Sequence, residues 1–276
     1  MNVTGSPQVA SRVPIRWPSE AIWEAVAPSL DGFTVEVLPQ VDSTNSELMR
    51  RARAGQLAPI LLVAERQMAG RGRMGRQWIS DHLEPAGHAG NIAPSLAFSL
   101  GLPLSPADWS GLSLAVGVSV AQSLHPDLRL KWPNDIWLQD RKLAGILIET
   151  GSFDGTRYAV IGVGINVLQR SAQGLSTPPA WLAELLPDIN ASQTLLRVVP
   201  QLVNAVKVFE AQGFGPFRQR FAALDALAGR SVTLSEGTFG TAQGVDAIGA
   251  LLVHTSVGMK TISSSEVSVR PSPGKS

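Results

Sequence analysis

The chain has no cysteine among its 276 residues. That absence removes disulfides, thiolate catalysis and cysteine-based zinc sites together, and it fits a reducing cytoplasm. Neither sign of charge is in excess: 23 Lys and Arg face 22 Asp and Glu, leaving +1. A protein built to grip a polyanion non-specifically carries a basic surplus, so no nucleic-acid partner is expected. No stretch reaches the ~18–20 apolar residues of a membrane span, so no membrane association is expected either. The first residues hold no apolar core of a signal peptide. Internal repeats and low-complexity tracts are missing. His82, His88, His125 and His254 follow no metal-ligand spacing. What remains is 44% apolar and 16% charged, the composition of a globular protein with one main domain and a small appendage.

Residues 1–32 are Pro-rich and read as a mobile lead-in. "FTVEVLPQ" (33–40) alternates like a strand. In the next segment Thr44 and Glu47 have capping-box spacing, and Gly55 marks where a helix stops. "PILLVAERQ" (59–67) and "SLAFSLGLPL" (95–104) read as strands. The clearest helix follows, with Ser105 as its cap, Pro106 in its first turn, and Trp109, Leu112, Val116, Val120 and Leu124 on one face. Three further strands come next, the middle pair joined by a tight turn at Gln139 to Arg141, and then a helical stretch from 191 to 228. After Gly229 short alternating runs broken by Gly and Ser predict a small antiparallel barrel. The expected organisation is a lead-in (1–32), a main α+β domain (33–228) and a small C-terminal domain (229–276).

"GRGRMGRQW" (70–78) carries the dinucleotide fingerprint G-x-G-x-x-G. Yet "RQWIS" opens no amphipathic helix to meet a pyrophosphate, and no acid stands about 20 residues on to hold a ribose. Three glycines and three arginines, entered from an apolar strand, suit a strap over an anionic ligand, since arginine offers forked donors to carboxylate or phosphate. A second cluster, Lys131, Asn134 and Asp135 around Pro133, sits at a strand end, with Lys142 and Gly145 starting the next strand.

Taken together, "DSTN" (42–45), "AERQMAGRGRMGRQW" (64–78), "KWPND" (131–135), "RKLAGILIE" (141–149) and "GVGINV" (162–167) resemble the biotin–protein ligases, in that family's order and at similar separations. The C-terminal "GVDAIGALLV…SEVSVR" resembles the family's SH3-like barrel, with Ser265 where a glycine is usual. The segment after Trp78 is longer than the usual link. The resemblance implies an α+β fold with a mixed-sheet biotin/lipoate ligase-like domain, and an ATP-dependent reaction in two steps. Biotin's carboxylate attacks the α-phosphorus of ATP to give biotinyl-5′-AMP and pyrophosphate. A lysine amine of a carboxylase carrier domain then attacks the mixed anhydride and releases AMP.

By the same resemblance Lys142 is catalytic, bridging carboxylate and α-phosphate. Ser43, Thr44, Asn45, Gln67, Arg71, Gly72, Arg73, Lys142 and Gly145 bind biotin. Arg73, Arg76, Trp78, Lys131, Asn134, Asp135 and Asn166 bind ATP, and Asp135 holds Mg²⁺. Trp132, Trp137 and Glu149 are read as structural. The implied protein is cytoplasmic and a monomer or weak homodimer. A lipoate–protein ligase or octanoyl transferase is the alternative. A DNA-binding repressor is a third reading, disfavoured because only about 30 Pro-rich residues precede the first strand.

Overall fold

The computed structural model describes residues 15–79, 93–169, 177–263 and 269–271. The start of the lead-in, the long segment after Trp78 with His82 and His88, and Ser265 lie outside the described residues. The chain runs α1 (Ser19–Val26), β1 (Thr34–Leu38), α2 (Thr44–Arg53), β2 (Ile60–Ala64), β3 (Ser95–Pro103), α3 (Leu112–Leu124), β4 (Arg129–Lys131), β5 (Asp135–Leu138), β6 (Arg141–Phe153), β7 (Thr156–Asn166), α4 (Ala191–Gln212) and α5 (Gly215–Leu224). Five strands complete it: β8 (Ser231–Leu234), β9 (Phe239–Val245), β10 (Leu251–Thr255), β11 (Gly258–Ile262) and β12 (Val269–Pro271).

The first seven strands form one sheet in the order β1-β2-β3-β7-β6-β5-β4. The β1–β2 pair is parallel and the remaining pairs are antiparallel, so the sheet is mixed. Two-residue turns set its register. Gln139 and Asp140 join β5 to β6 with φ of 49° and 61°, and Asp154 and Gly155 join β6 to β7 with φ of 49° and 78°. Positive φ at both central residues matches the twist of the flanking strands.

Side chains alternate across the sheet with period two. In β7, Ala159, Ile161, Val163 and Ile165 point into the main core, beneath α1, α3, α4 and α5. Tyr158 and Val160 point the other way and pack with Leu48, Met49 and Ala52 of α2. The alternation continues past the end of α2, so Gly162, Gly164 and Asn166 share that second face. Opposite them in register are Ala97 and Ser99 of β3 and Gly145 and Leu147 of β6. Small residues therefore floor a hollow where the helix gives no cover.

The second sheet is antiparallel throughout, in the order β11-β10-β9-β8-β12. It has the strand content of the expected SH3-like barrel, but among the described residues β11 and β12 end the order without pairing. The Trp132 Nε1–H donates to the Gly249 carbonyl at 3.0 Å, and Arg230 pairs with Asp140 at 2.6 Å, joining this sheet to the first.

Three local expectations change. The lead-in is folded from Ser19 on, where α1 buries Ile22 and Val26 and the Trp17 indole donates to Glu65 at 3.0 Å. An eight-residue helix between prolines offers one apolar pair only, too little to read as a stripe. The helix predicted from Ser105 begins after Gly111, whose φ of 80° turns the chain, so Trp109 lies outside it. The stretch 191–228 is two helices, broken at Gly213 with φ of 65°. Because Ile22 is fully buried, Ile22→Ala is expected to cost about 2–5 kcal/mol in a denaturant melt; an unchanged midpoint would return the segment to a loosely attached lead-in.

Candidate active site

The hollow is a cavity of about 390 Å³. It is lined by Ser43, Thr44, Asn45, Gln67, Arg71, Gly72, Arg73, Arg76, Trp78, Lys131, Asn134, Asp135, Lys142, Gly145 and Asn166, which is every residue singled out from the sequence. Residues up to 123 positions apart, Ser43 to Asn166, thus meet on one face of one sheet.

At one end the start of α2 supplies the polar groups. The helix N-cap is Ser43, whose hydroxyl accepts from the Ser46 N–H at 3.4 Å, in place of the predicted Thr44. Thr44 is instead the first residue of the helix and is buried. Its N–H donates to Gln67 Oε1 at 2.8 Å, and its hydroxyl lies 2.7 Å from that of Ser99. Asn45 fits against β7 only because Gly162 has no side chain; a Cβ there would run into the Asn45 amide. The loop before the helix is held by Asp42, which takes a forked pair of bonds from Arg50 at 2.7 and 2.9 Å. The Arg50 guanidinium lowers the Asp42 pKa to about 2.

The arginine-rich loop crosses the cavity as a small hairpin. Its backbone closes through Trp78 N–H to Gly70 O at 2.8 Å and Gly72 N–H to Arg76 O at 2.7 Å. The Gly72 N–H therefore serves the hairpin. Arg71 reaches Glu149 on β6 at 3.0 Å, and Arg73 reaches Asn134 Oδ1 at 3.4 Å, so the strap is tied on two sides. The Trp78 indole lies on the floor above Gly164, where a Cβ would collide with it, and against Gly145.

The other end is cationic. Lys142 Nζ lies 2.7 Å from Asp135 Oδ1, and Lys131 Nζ lies 3.9 Å from Oδ2. Lys131 also sits over the Trp137 ring, 5.2 Å from its centroid. Burial pushes the Lys131 pKa down, against the pull of Asp135, and Lys142, Arg76 and Arg270 push it further. Burial lowers Arg73 likewise. Among the described residues the lining holds six cations (Arg71, Arg73, Arg76, Lys131, Lys142, Arg270) and one carboxylate, Asp135, with Glu149 just behind it paired to Arg71. In a chain with net charge +1, this is a locally concentrated positive field. Asn166 is buried and donates to the backbone carbonyls of Lys142 and Ala180 at 3.2 and 3.0 Å, orienting the strand that carries Lys142.

Sequence reading missed two kinds of residue. Arg270, with Val269 and Pro271, brings β12 of the second sheet into the wall, and nothing in the local sequence signals it. Ser99 is fully buried among the apolar residues of β3; a lone hydroxyl in "LAFSL" is the cue that points to it. Among the described residues no group of three His, Asp or Glu could hold a metal ion. Both oxygens of Asp135 face ammonium groups, so the donor set suits a Mg²⁺ ion carried in by phosphates rather than a resident one.

Comparison with known proteins agrees with this geometry. Residues 37–166 match the Biotin/lipoate A/B protein ligase family, and residues 228–270 match the Biotin protein ligase C terminal domain. The bifunctional ligase/repressor BirA of Escherichia coli is 38% identical over 87% of this chain and 75% of its own length. The biotin–[acetyl-CoA-carboxylase] ligase of Paracoccus denitrificans is 31% identical over 84% of this chain and 98% of its own. The solved structure of the Aquifex aeolicus biotin protein ligase in complex with biotin and ATP is 30% identical, with a TM-score of 0.71 over 86% of this chain and 99% of that one. The fold and the matched families define a two-part ligase with a cation-lined cavity on its main sheet. The chain belongs to the biotin protein ligase family.

The D-S-T-N loop gives a pH test. A carboxylate whose pKa is lowered from 3.8 to about 2 stabilises the fold above its ordinary value, and that contribution is lost as pH falls through about 2. Asp42→Asn should therefore lower stability at neutral pH and flatten its dependence on acid between about pH 4 and pH 2. Parallel wild-type and variant curves across that window would show that the pair does not hold the loop.

Proposed function

We propose that this cavity activates biotin with ATP and passes it to a lysine of a carboxylase carrier domain, with Lys142 as the catalytic cation. The observation that supports the reading most is the charge of the described lining: six cations, with Asp135 among them and Glu149 behind Arg71 as the balancing carboxylates, beside a bare strand floor. Such a wall repels itself until a polyanion fills it, and the floor of Gly145, Gly162, Gly164, Ala97 and Leu147 suits an apolar chain. A carboxylate joined to an apolar tail and brought against a nucleoside triphosphate satisfies both halves.

Attack of a carboxylate on an α-phosphate brings two anions together, so the site must neutralise charge and fix geometry. Lys142 Nζ, held by Asp135 beside Gly145, stands where it can bridge the two. Its ion pair with Asp135 is the resting arrangement, and the arriving oxygens take over the ammonium. Arg76, Lys131, Asn134 and Arg270 face the phosphates, with Asn166 steadying the strand behind Lys142. Mg²⁺ borne by the phosphates would meet Asp135 and spread their charge. Ser43, Thr44, Asn45 and Gln67 offer hydrogen-bonding groups to the ureido ring. Arg71 and Arg73 keep the strap over the anhydride and water away from it. Transfer needs no covalent enzyme intermediate, in keeping with a chain that has no cysteine.

The carrier domain and a cytoplasmic setting, where ATP is at hand, follow from this reading. No helix among the described residues is long and apolar enough to cross a membrane. The lipoate alternative draws on the shared catalytic fold alone, whereas the C-terminal domain and the relatives named above belong to biotin ligases.

ATP–pyrophosphate exchange tests the reading directly: exchange with biotin is expected, and exchange with lipoate alone would overturn it. Lys142→Ala should lower biotin-dependent exchange by about 10²-fold or more while leaving the melting curve near wild type; near-normal exchange would remove Lys142 from the role. Arg73→Gly should loosen the strap, so that free adenylate accumulates in solution and labels bystander lysines. Retention of adenylate equal to wild type would show that the strap does not seal the site.

A further inference from the structure

Glu149 stands on β6 two residues beyond Leu147, on the cavity side of the sheet, in register with Val160. Its carboxylate is three-quarters buried and touches both parts of the biotin end. Asn45 Nδ2 donates to Glu149 Oε2 at 3.0 Å and to the Leu147 carbonyl at 3.1 Å. Arg71 Nη1 of the strap lies 3.0 Å from Glu149 Oε1 and also reaches Ser46 at 3.3 Å. On the opposite side of Asn45, its Oδ1 lies 2.7 Å from the Ser99 hydroxyl. Ser99 is also 2.7 Å from the Thr44 hydroxyl. The Thr44 hydroxyl donates its proton to Gln67 Oε1 at 3.2 Å, so the one Ser99 proton is shared between the Thr44 hydroxyl and Asn45 Oδ1, both of which accept it.

An amide side chain has two nearly isosteric orientations, and its neighbours select one. The ionised Glu149 carboxylate and the Leu147 carbonyl both accept and never donate, so together they hold the Asn45 NH₂ toward themselves. The carbonyl must then face Ser99 and Gly162 on the cavity floor. Both amide protons are spent on Leu147 and Glu149, leaving Asn45 to present an acceptor to whatever enters.

We propose that Glu149 is a positioning residue with two effects: it fixes the Asn45 amide as a hydrogen-bond acceptor in the cavity, and it moors the arginine strap to β6 through Arg71. The first effect rests on the reading of this end as the biotin-ring site, where an acceptor suits a ureido N–H. The second does not depend on the ligand. The two are coupled through one carboxylate, so the ring site and the strap are set together before any ligand arrives.

Glu149→Gln keeps the shape but removes the charge, which leaves the Leu147 carbonyl alone to orient the Asn45 amide and weakens the tie to Arg71. By calorimetry the biotin dissociation constant is expected to rise about tenfold, the loss of one charge-assisted contact. At saturating biotin the exchange rate should change by less than about threefold, because Glu149 meets no reacting atom. In the protein without ligands, tryptic cleavage within residues 71–76 should speed up in the variant, with cleavage elsewhere unchanged. Arg71→Met, which removes the tryptic site at 71, should speed cleavage at Arg73 and Arg76, and adding Glu149→Gln to it should speed that cleavage no further. Arg71→Met carries the cleavage test alone if Glu149→Gln does not fold. Wild-type biotin affinity and wild-type cleavage in Glu149→Gln would overturn the proposal. Wild-type protein that binds no biotin would sink the functional reading instead, while the cleavage comparison would still decide whether Glu149 moors the strap.

Discussion

The site depends on the period of an extended chain. Because successive side chains of a strand point to opposite faces, β3, β6 and β7 can be greasy on one side and bare on the other. Leu96, Phe98, Ile146, Ile161 and Val163 fill the core under the helices, while Ala97, Ser99, Gly145, Gly162 and Gly164 leave a floor with almost no side-chain height. The helix α2 covers only the part of that face where Tyr158 and Val160 meet Leu48 and Met49. The hollow is what remains, and its stability is that of the core behind it. Nothing in the strap or the cationic wall needs to hold the cavity open.

Charge is then placed on this neutral floor from several directions. The strap comes in from the end of β2, the lysines from the β4–β5–β6 meander, and Arg270 from the second sheet. Asp135 stands between Lys142 and Lys131 as the only acid in the lining among the described residues. It limits the repulsion of the resting state without cancelling it, and the lowered pKa of Lys131 reflects the burial and repulsion that remain. Glu149 plays the corresponding part at the other end for Arg71. One carboxylate at each end of the cavity thus steadies cations that the ligands are to engage.

Much of this was legible in the amino acids, for definite reasons. Sites made of contiguous residues, such as Lys131 to Asp135 at a strand end or the glycine–arginine loop, carry their chemistry in the spacing. The strands that hold "GVGIN" and "LAGILIE" were visible, and so was the tight turn at Gln139. Ser43 and Thr44 exchanged roles because either can cap a helix, and only packing against Ser99 and Gln67 decides between them. Glu149 reads as an ordinary strand residue, since its partners Asn45 and Arg71 lie 104 and 78 residues away. Arg270 joins the cavity through the docking of one sheet on another, which leaves no local pattern. The helix α1 escaped because two apolar residues between prolines are indistinguishable from a loop.

The docking of the second sheet also makes the chamber a joint product of distant parts of the chain. The floor is complete once β7 has been made, yet the wall still lacks Val269, Arg270 and Pro271. Those three residues lie roughly a hundred positions beyond Asn166 in the sequence, so the two ends of the site are far apart along the chain. The pairing of β12 with β8 is what brings that last side to the cavity, so the second sheet closes a chamber whose floor belongs to the first.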